Sequence, residues 1–382
     1  MKSMIFNPVL LNFKNMLKRA FSVYSSNYVK HSLNNKLKVK AWQTHEYGDL
    51  KNVQLDEVRI PVIRKPTDVL VQVNSASVNP IDILMLGGYG KTLMQVPRNW
   101  ELELPLIVGR DFCGTIIGKG QSVCNDYKVG DEVYGFVPLY NSGTFSEAII
   151  TDVSYLLPKP KHLTHFESAS MVYATMTAWS ALYVFGNMLS KQKKGLRVLI
   201  LGASGGVGTA AIQILKSQQC HVFATCSEDA IPLVTDLGAD NVFNYKDQDF
   251  EQKIEQEGRY HIILDGARMG HQNIPKGWKF DTYISLNSPL LKNTDQYGLL
   301  PGLAYSLSDL LESNLKRFKD GSSIVWGFFV PSRNGFEFIN ELITDKKIKP
   351  IIHKKFSFDQ LPEALQTVAD GHLRGKVVID YQ

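Results

Sequence analysis

Residues 196–216 leave the chain the least freedom. Leu196-Arg197-Val198-Leu199-Ile200-Leu201 is an apolar run of strand length. Gly202-Ala203-Ser204-Gly205-Gly206-Val207-Gly208 turns it, and residues 206–216 continue with helix-forming side chains. Strand, glycine turn and helix in that order make the first half of a parallel βαβ unit. Within the turn, Ala203-x-Gly205-x-x-Gly208 is a variant of the dinucleotide fingerprint, with Ala in the first glycine place. Glycine at 205 lets backbone approach a pyrophosphate, and glycine at 208 lets the helix pack close to the strand. A helix start adds unpaired N–H groups and the positive end of a dipole. Ser204, Gly205, Gly206, Val207 and Gly208 are therefore the candidate pyrophosphate cradle; a tight turn without a ligand is the plainer reading.

The flanking pattern extends this unit. Expected strands at 221–225, 241–244, 260–264, 278–287 and 324–329 alternate with helices at 230–237 and 303–318. That rhythm predicts an α/β doubly wound parallel sheet of Rossmann type. Before it, residues 38–160 read as short strands between Gly, Pro, Asn and Asp turns (69–78, 115–118, 132–136, 145–150), and 166–186 reads as one helix. Segments 353–358 and 376–381 return to short strands. The expected organisation is a leader at 1–37, a β-rich catalytic domain at 38–165, a nucleotide domain at 166–337, and a return to the first domain at 338–382.

Charge separates the leader from the body. Residues 1–45 contain eight Lys/Arg and no acid before Glu46. Removing those eight from the 42 leaves 34 basic against 37 acidic residues, so the body is no basic nucleic-acid grip. Acid-free, hydroxyl-bearing, amphipathic sequence is the composition of a mitochondrial transit peptide. Arg19-Ala20-Phe21-Ser22 resembles a matrix-processing site, so the matrix is the expected location; a basic tail is the alternative. Four scattered Cys make no disulfide framework and no C-x₂-C zinc pair.

The choice of nicotinamide cofactor falls at the end of the strand 221–225. NAD-binding sites place an acid there for the ribose 2′-OH, but this chain has Cys226-Ser227. Ser227, with Tyr245 one strand later, suits a 2′-phosphate and favours NADPH. Glu228, Asp229 and the lack of Lys or Arg in that loop stand on the other side.

Several motifs occur in a telling order: Val78-Asn79-Pro80-Ile81-Asp82, Pro105-Leu106-Ile107-Val108-Gly109-Arg110-Asp111, Val129-Gly130-Asp131-Glu132-Val133, Thr177-Ala178-Trp179, the glycine turn, Leu237-Gly238-Ala239-Asp240 and Gly375-Lys376-Val377-Val378. From about Lys38 onward the chain resembles the zinc-free quinone-oxidoreductase family of the medium-chain dehydrogenase/reductase superfamily. The resemblance implies a GroES-like catalytic domain beside the Rossmann domain. Its narrower likeness to mitochondrial members implies an NADPH-dependent reductase linked to ubiquinone biosynthesis, with reticulon as a reported partner and a homodimer through an edge strand of the nucleotide domain. Zinc-using members carry Gly-His-Glu where Gly109-Arg110-Asp111 stands, so no metal is expected. Tyr89 matches the offset of a catalytic Tyr in enoyl-thioester reductases and is the candidate acid; a turn residue is its alternative. Asn79 is expected near the nicotinamide, or as a helix cap. By position in the family, Leu286, Phe329, His372, Leu373 and Arg374 are cofactor contacts, with Arg374 alternatively a lone surface residue. Asp265-Gly266-Ala267-Arg268 departs from the family's Asp-x-x-Gly-Gly and puts local contacts in question. Trp100, Phe136, Tyr140 and Trp326 are candidates for an apolar pocket holding a quinone or enone, with core packing the commoner role of such rings. An interaction or redox-sensing protein on a reductase fold, and a 2-enoyl-thioester reductase, remain as other functions.

Overall fold

The computed structural model describes residues 38–99 and 101–381; the leader, its expected processing site and Trp100 lie outside the described residues. Strands β1 (Lys38–Thr44) and β2 (Val53–Arg59) form an antiparallel pair. Then come β3 (Asp68–Val78), β4 (Asp111–Lys119), β5 (Glu132–Phe136), β6 (Ala148–Asp152) and β7 (Leu156–Pro158). The second half holds β8 (Arg197–Leu201), β9 (His221–Cys226), β10 (Asn241–Asn244), β11 (Arg259–Asp265), β12 (Lys279–Ser285) and β13 (Ser323–Trp326), and β14 (Ile352–Ser357) and β15 (Lys376–Asp380) close the chain.

Two sheets organise these strands. The first runs β14-β15-β3-β4-β5-β7, with β6 also on β3. Its central strand β3 is buried over most of both faces, pairs with β6 along 68–72, then with β15 along 75–78. The last strand of the chain is thereby laid against the run ending at Asn79. The second sheet runs β10-β9-β8-β11-β12-β13, with every pairing parallel. Strand order reverses between β8 and β11, and such a switch point opens a crevice at the carboxyl ends of the strands. Val198, Leu199 and Ile200 of β8 are buried, as a strand covered by helices on both faces requires.

Three elements differ from expectation. The helix expected over 166–186 is broken: His165–Ser170 is capped by Thr164 and Glu167, and a second helix starts at Tyr173. The Asp111 carboxylate accepts the Tyr173 N–H (3.0 Å) at this restart, and Ser180–Phe185 continues with π-helical bonding. The helix expected at 303 begins at Leu299, after a further helix Leu290–Tyr297 that sequence reading missed. Strand β13 ends at Trp326, three residues early. On this outer strand, Asn314 accepts from Ile324 N (2.8 Å) and donates to Ile324 O (3.0 Å). A second copy pairing along this edge would have to displace that side chain.

Candidate functional site

The glycine turn leaves β8 at the switch point. Gly202 is left-handed (φ +78°), and a Cβ there would lie 3.1 Å from Ala267 N, so the turn packs directly on the loop after β11. A Cβ on Gly208 would stand 2.4 Å from Gly202 O and 2.6 Å from Ala203 Cα, which is a backbone collision. Gly205 differs: its nearest neighbour would be 3.6 Å away, so nothing within the chain demands glycine there. It caps the helix Gly206–Ser217 without a side-chain bond. The turn lines a cleft of about 730 Å³ between the two sheets.

The C-terminal loop is stitched across this turn. Gly375 donates to Ser204 O (2.9 Å) and bridges to Gly205 in parallel. This brings Arg374 against Ser227, 147 residues earlier: Nη2 donates to Ser227 Oγ (2.8 Å) and to Asp229 (2.5 Å). Tyr245, whose N–H is held by Cys226 O (3.1 Å), lines the same end of the cleft. Hydrogen bonds from Ser227 and then Arg374 push the Asp229 carboxyl down to about 2. Arg374 Nε is shut off from solvent without an acceptor among the described residues. A buried donor of that kind costs free energy until an acceptor arrives. Here the loop that lacked a cation in sequence receives one from the far end of the chain.

At the opposite end of the cleft lies a buried polar network. Asn79 Nδ2 donates to Asp111 (2.6 Å), and its Oδ1 accepts from Lys376 Nζ. Asn79 N donates to Asp82 Oδ2 (2.8 Å) and Gly109 N to Asp82 Oδ1 (2.9 Å), so Asn79 also caps the helix Pro80–Leu86. Arg110, fully buried, gives Nη bonds to the carbonyls of Pro138 (2.9 Å), Asn141 and Ile107 (both 3.4 Å), with Nε 3.7 Å from Asp82. Burial raises the Asp82 carboxyl to about 6 against the pull of Arg110. A guanidinium thus fills the position where zinc-using relatives are expected to carry a ligand His.

Of the sequence candidates, Asn79, Ser204, Gly205, Gly206, Val207, Gly208, Ser227, Tyr245, Leu286, His372, Leu373 and Arg374 line this one cleft. Tyr89 and Phe329 are not among its lining residues. Phe329 stacks on Tyr173 (4.4 Å between centroids, 2° between planes) and meets Phe136 edge-on. Tyr89 points its hydroxyl at Ser288 O (3.4 Å), and its loop is held by Asp295, which accepts from Gly90 N (2.6 Å) and Thr92 N (2.9 Å). Burial, then Asp295, raises the Tyr89 phenol above its ordinary value. The departure at Asp265 has a local purpose: its carboxylate accepts from Ala267 N (3.0 Å), Met269 N (3.1 Å) and Gly270 N (2.8 Å), which turns Arg268 into a left-handed conformation (φ +62°) on the cleft wall. Phe136 and Trp326, expected in an apolar pocket, are buried and absent from this lining, as is Tyr140. Sequence reasoning gave Lys376 no role; a charged residue opening an otherwise apolar strand was the available signal.

Residues 65–161 match the alcohol dehydrogenase GroES-like domain, and residues 237–379 match the zinc-binding dehydrogenase family. The NAD(P)H oxidoreductase RTN4IP1, mitochondrial, of Drosophila melanogaster is 40% identical over 357 residues, covering 90% of this chain and 86% of that protein. The chain belongs to the RTN4IP1 family. The Homo sapiens member is 39% identical over 351 residues (89% and 88% covered). A Caenorhabditis elegans relative, 33% identical over 379 residues (96% and 99% covered), is named reticulon-4-interacting protein 1, mitochondrial. Among solved structures, the quinone oxidoreductase from Coxiella burnetii superposes with a TM-score of 0.72 at 23% identity, covering 90% of this chain and all of that one. The fold is that of the medium-chain dehydrogenase/reductases, with a GroES-like and a Rossmann-type half, and the family is one of nicotinamide-dependent oxidoreductases.

Proposed function

We propose that this chain is a mitochondrial NADPH-dependent reductase of a quinone or related conjugated carbonyl, working in the matrix in ubiquinone biosynthesis. The observation that carries the NADPH reading is the meeting of Ser227 and Arg374 beside the glycine turn, where Arg374 Nε lacks an acceptor among the described residues. Ser227, Tyr245 and Arg374 would hold the 2′-phosphate. Backbone from Ser204 to Gly208 and the helix behind it would take the pyrophosphate. Leu286, at the end of β12, would meet the nicotinamide half, with His372 and Leu373 closing the cleft from the C-terminal loop. Ile83, Leu84 and Leu286 would give the reacting end an apolar wall.

Bound NADPH would supply the hydride, and two-electron reduction of a quinone to the quinol then needs one further proton. Tyr89 is the proton donor in this reading: with its phenol raised, it stays protonated throughout the physiological range. Outside the cleft lining but within reach of the charge of Arg268 on its wall, Tyr89 would serve from the substrate side, under the clasp of Asp295. Matrix location and a reticulon contact rest on the leader's composition and on the names of relatives. Import followed by N-terminal sequencing tests the first, and co-purification with a reticulon tests the second.

The deciding experiment titrates the purified protein with NADPH and NADH, then follows NADPH oxidation at 340 nm with soluble quinones. Tight NADPH binding and quinone-dependent oxidation support the reading. Binding without turnover across quinones and enones would favour a redox-sensing interaction protein, and no nucleotide binding would overturn the cofactor assignment.

A further inference from the structure

Lys376 opens β15, whose next three residues are fully buried, and is itself only 7% exposed. Its stem crosses the glycine turn, for a Cβ on Gly206 would come 2.8 Å from Lys376 Cδ. Its ammonium donates to Val78 O (3.0 Å) and to Asn79 Oδ1. An ammonium has three donors and no acceptor, and two of them find acceptors among the described residues. Lys376 also lines the cleft, at the end away from Ser227. Asp111, on the other side of the Asn79 amide, is a carboxylate and accepts only. Cation and anion together thus fix which way that amide faces. With Oδ1 given to Lys376 and Nδ2 to Asp111, the side chain of Asn79 is engaged on both sides. Burial holds the lysine pKa below its ordinary value, and Asp111 and then Asp82 oppose that pull only in part.

We infer that Lys376 is the cation of the hydride-transfer end of the cleft: it orients the Asn79 amide and sets a positive charge beside the nicotinamide. This rests on the reading of the cleft as an NADPH site. The reduced ring is neutral and the oxidised ring is cationic, so a fixed positive charge there weakens NADP⁺ relative to NADPH. The site then holds the hydride donor and releases the spent form. Arg374 and Lys376, separated only by Gly375, straddle the glycine turn: one serves the adenosine phosphate, the other the redox end.

The test is equilibrium binding of NADPH and NADP⁺ to the wild-type protein and to Lys376→Met, which keeps the stem and removes the charge. Two unit charges within about 10 Å of each other inside a protein interact by roughly a factor of ten in a binding constant. The NADP⁺-to-NADPH ratio of dissociation constants is therefore expected to fall about tenfold in the variant. Lys376→Gln, which retains a donor for Val78 and Asn79, is expected to shift it in the same direction if Lys376→Met fails to fold. Lys376→Arg should leave the ratio near the wild-type value. A ratio unchanged within about twofold in the uncharged variants overturns the inference. So does an equal loss for both nucleotides, which would make Lys376 a pyrophosphate contact. If the wild-type protein binds neither nucleotide, the cofactor reading itself fails, a result distinct from either of these.

Discussion

Replacing Arg374 by Met isolates the end of the cleft proposed to take the 2′-phosphate. The side chain is three-quarters buried and already serves Ser227, Asp229 and two loop carbonyls, so most of its bonds do not change in number when a phosphate arrives. What changes is Nε, a buried donor that gains an acceptor. A hydrogen bond to a charged group is worth about 1.5–3 kcal/mol. At about 1.4 kcal/mol per decade, that is roughly a 10- to 100-fold loss of NADPH affinity. NADH lacks the 2′-phosphate and should change by less than about threefold. Asp229→Asn should act in the opposite direction: Ser227 and Arg374 keep that carboxylate ionised, so it repels an incoming phosphate, and its removal strengthens NADPH binding. Calorimetric titration of both nucleotides against each variant reads these effects. Equal losses for NADPH and NADH in Arg374→Met, or a loss of NADPH below threefold, would refute the assignment.

Other substitutions test the remaining parts. Gly208→Ala drives a methyl into Gly202 O and Ala203 Cα and should cost about 2–3 kcal/mol, seen as a lower melting temperature together with loss of stabilisation by NADPH. Tyr89→Phe should lower quinone-dependent turnover about tenfold or more with NADPH affinity within twofold, and unaltered turnover would leave Tyr89 a turn residue. The raised Asp82 carboxyl gives a pH test. Its pKa is about 6 folded against about 3.9 unfolded, so its contribution to stability is full below pH 4 and is lost as pH rises through 6. The difference amounts to about 3 kcal/mol at most, reduced by its coupling to Arg110. Asp82→Asn removes this dependence, so the melting gap between wild type and variant should narrow from pH 4 to 7; a constant gap would contradict it.

The parts of the site legible in sequence are those whose meaning is local. Residues 197–217 carry a strand, a turn and a helix whose contacts fall within a few residues, and the structure follows them closely. Ser227 was readable as a strand-end residue without an acid. Its partnership with Arg374 was not, because only the chain's return across the glycine turn joins them. The break at Met171-Val172 escaped notice for the same reason: the carboxylate that caps the restarted helix belongs to Asp111, 62 residues earlier. Aromatic residues were legible only as a choice between pocket and core. Phe136 fits either in sequence, and it packs with Tyr155, Phe329 and Phe336 in the core between the halves. Composition shows that such rings are apolar, not which apolar space they fill.

The stitch between Gly375 and the turn at Ser204-Gly205 also sets an order in time. A ribosome releases the six parallel strands of the nucleotide sheet, the last ending at Trp326, well before residues 374–380, so that sheet can form with its glycine turn exposed. Both cations that flank the turn arrive only with residues 374 and 376. A chain shortened by a dozen residues would keep the fingerprint and lose both charges, along with the strand that lies beside β3. On the proposed cofactor reading, competence to hold NADPH waits on residues 374 and 376, and nucleotide protection against proteolysis would distinguish chains that include them from chains that stop short.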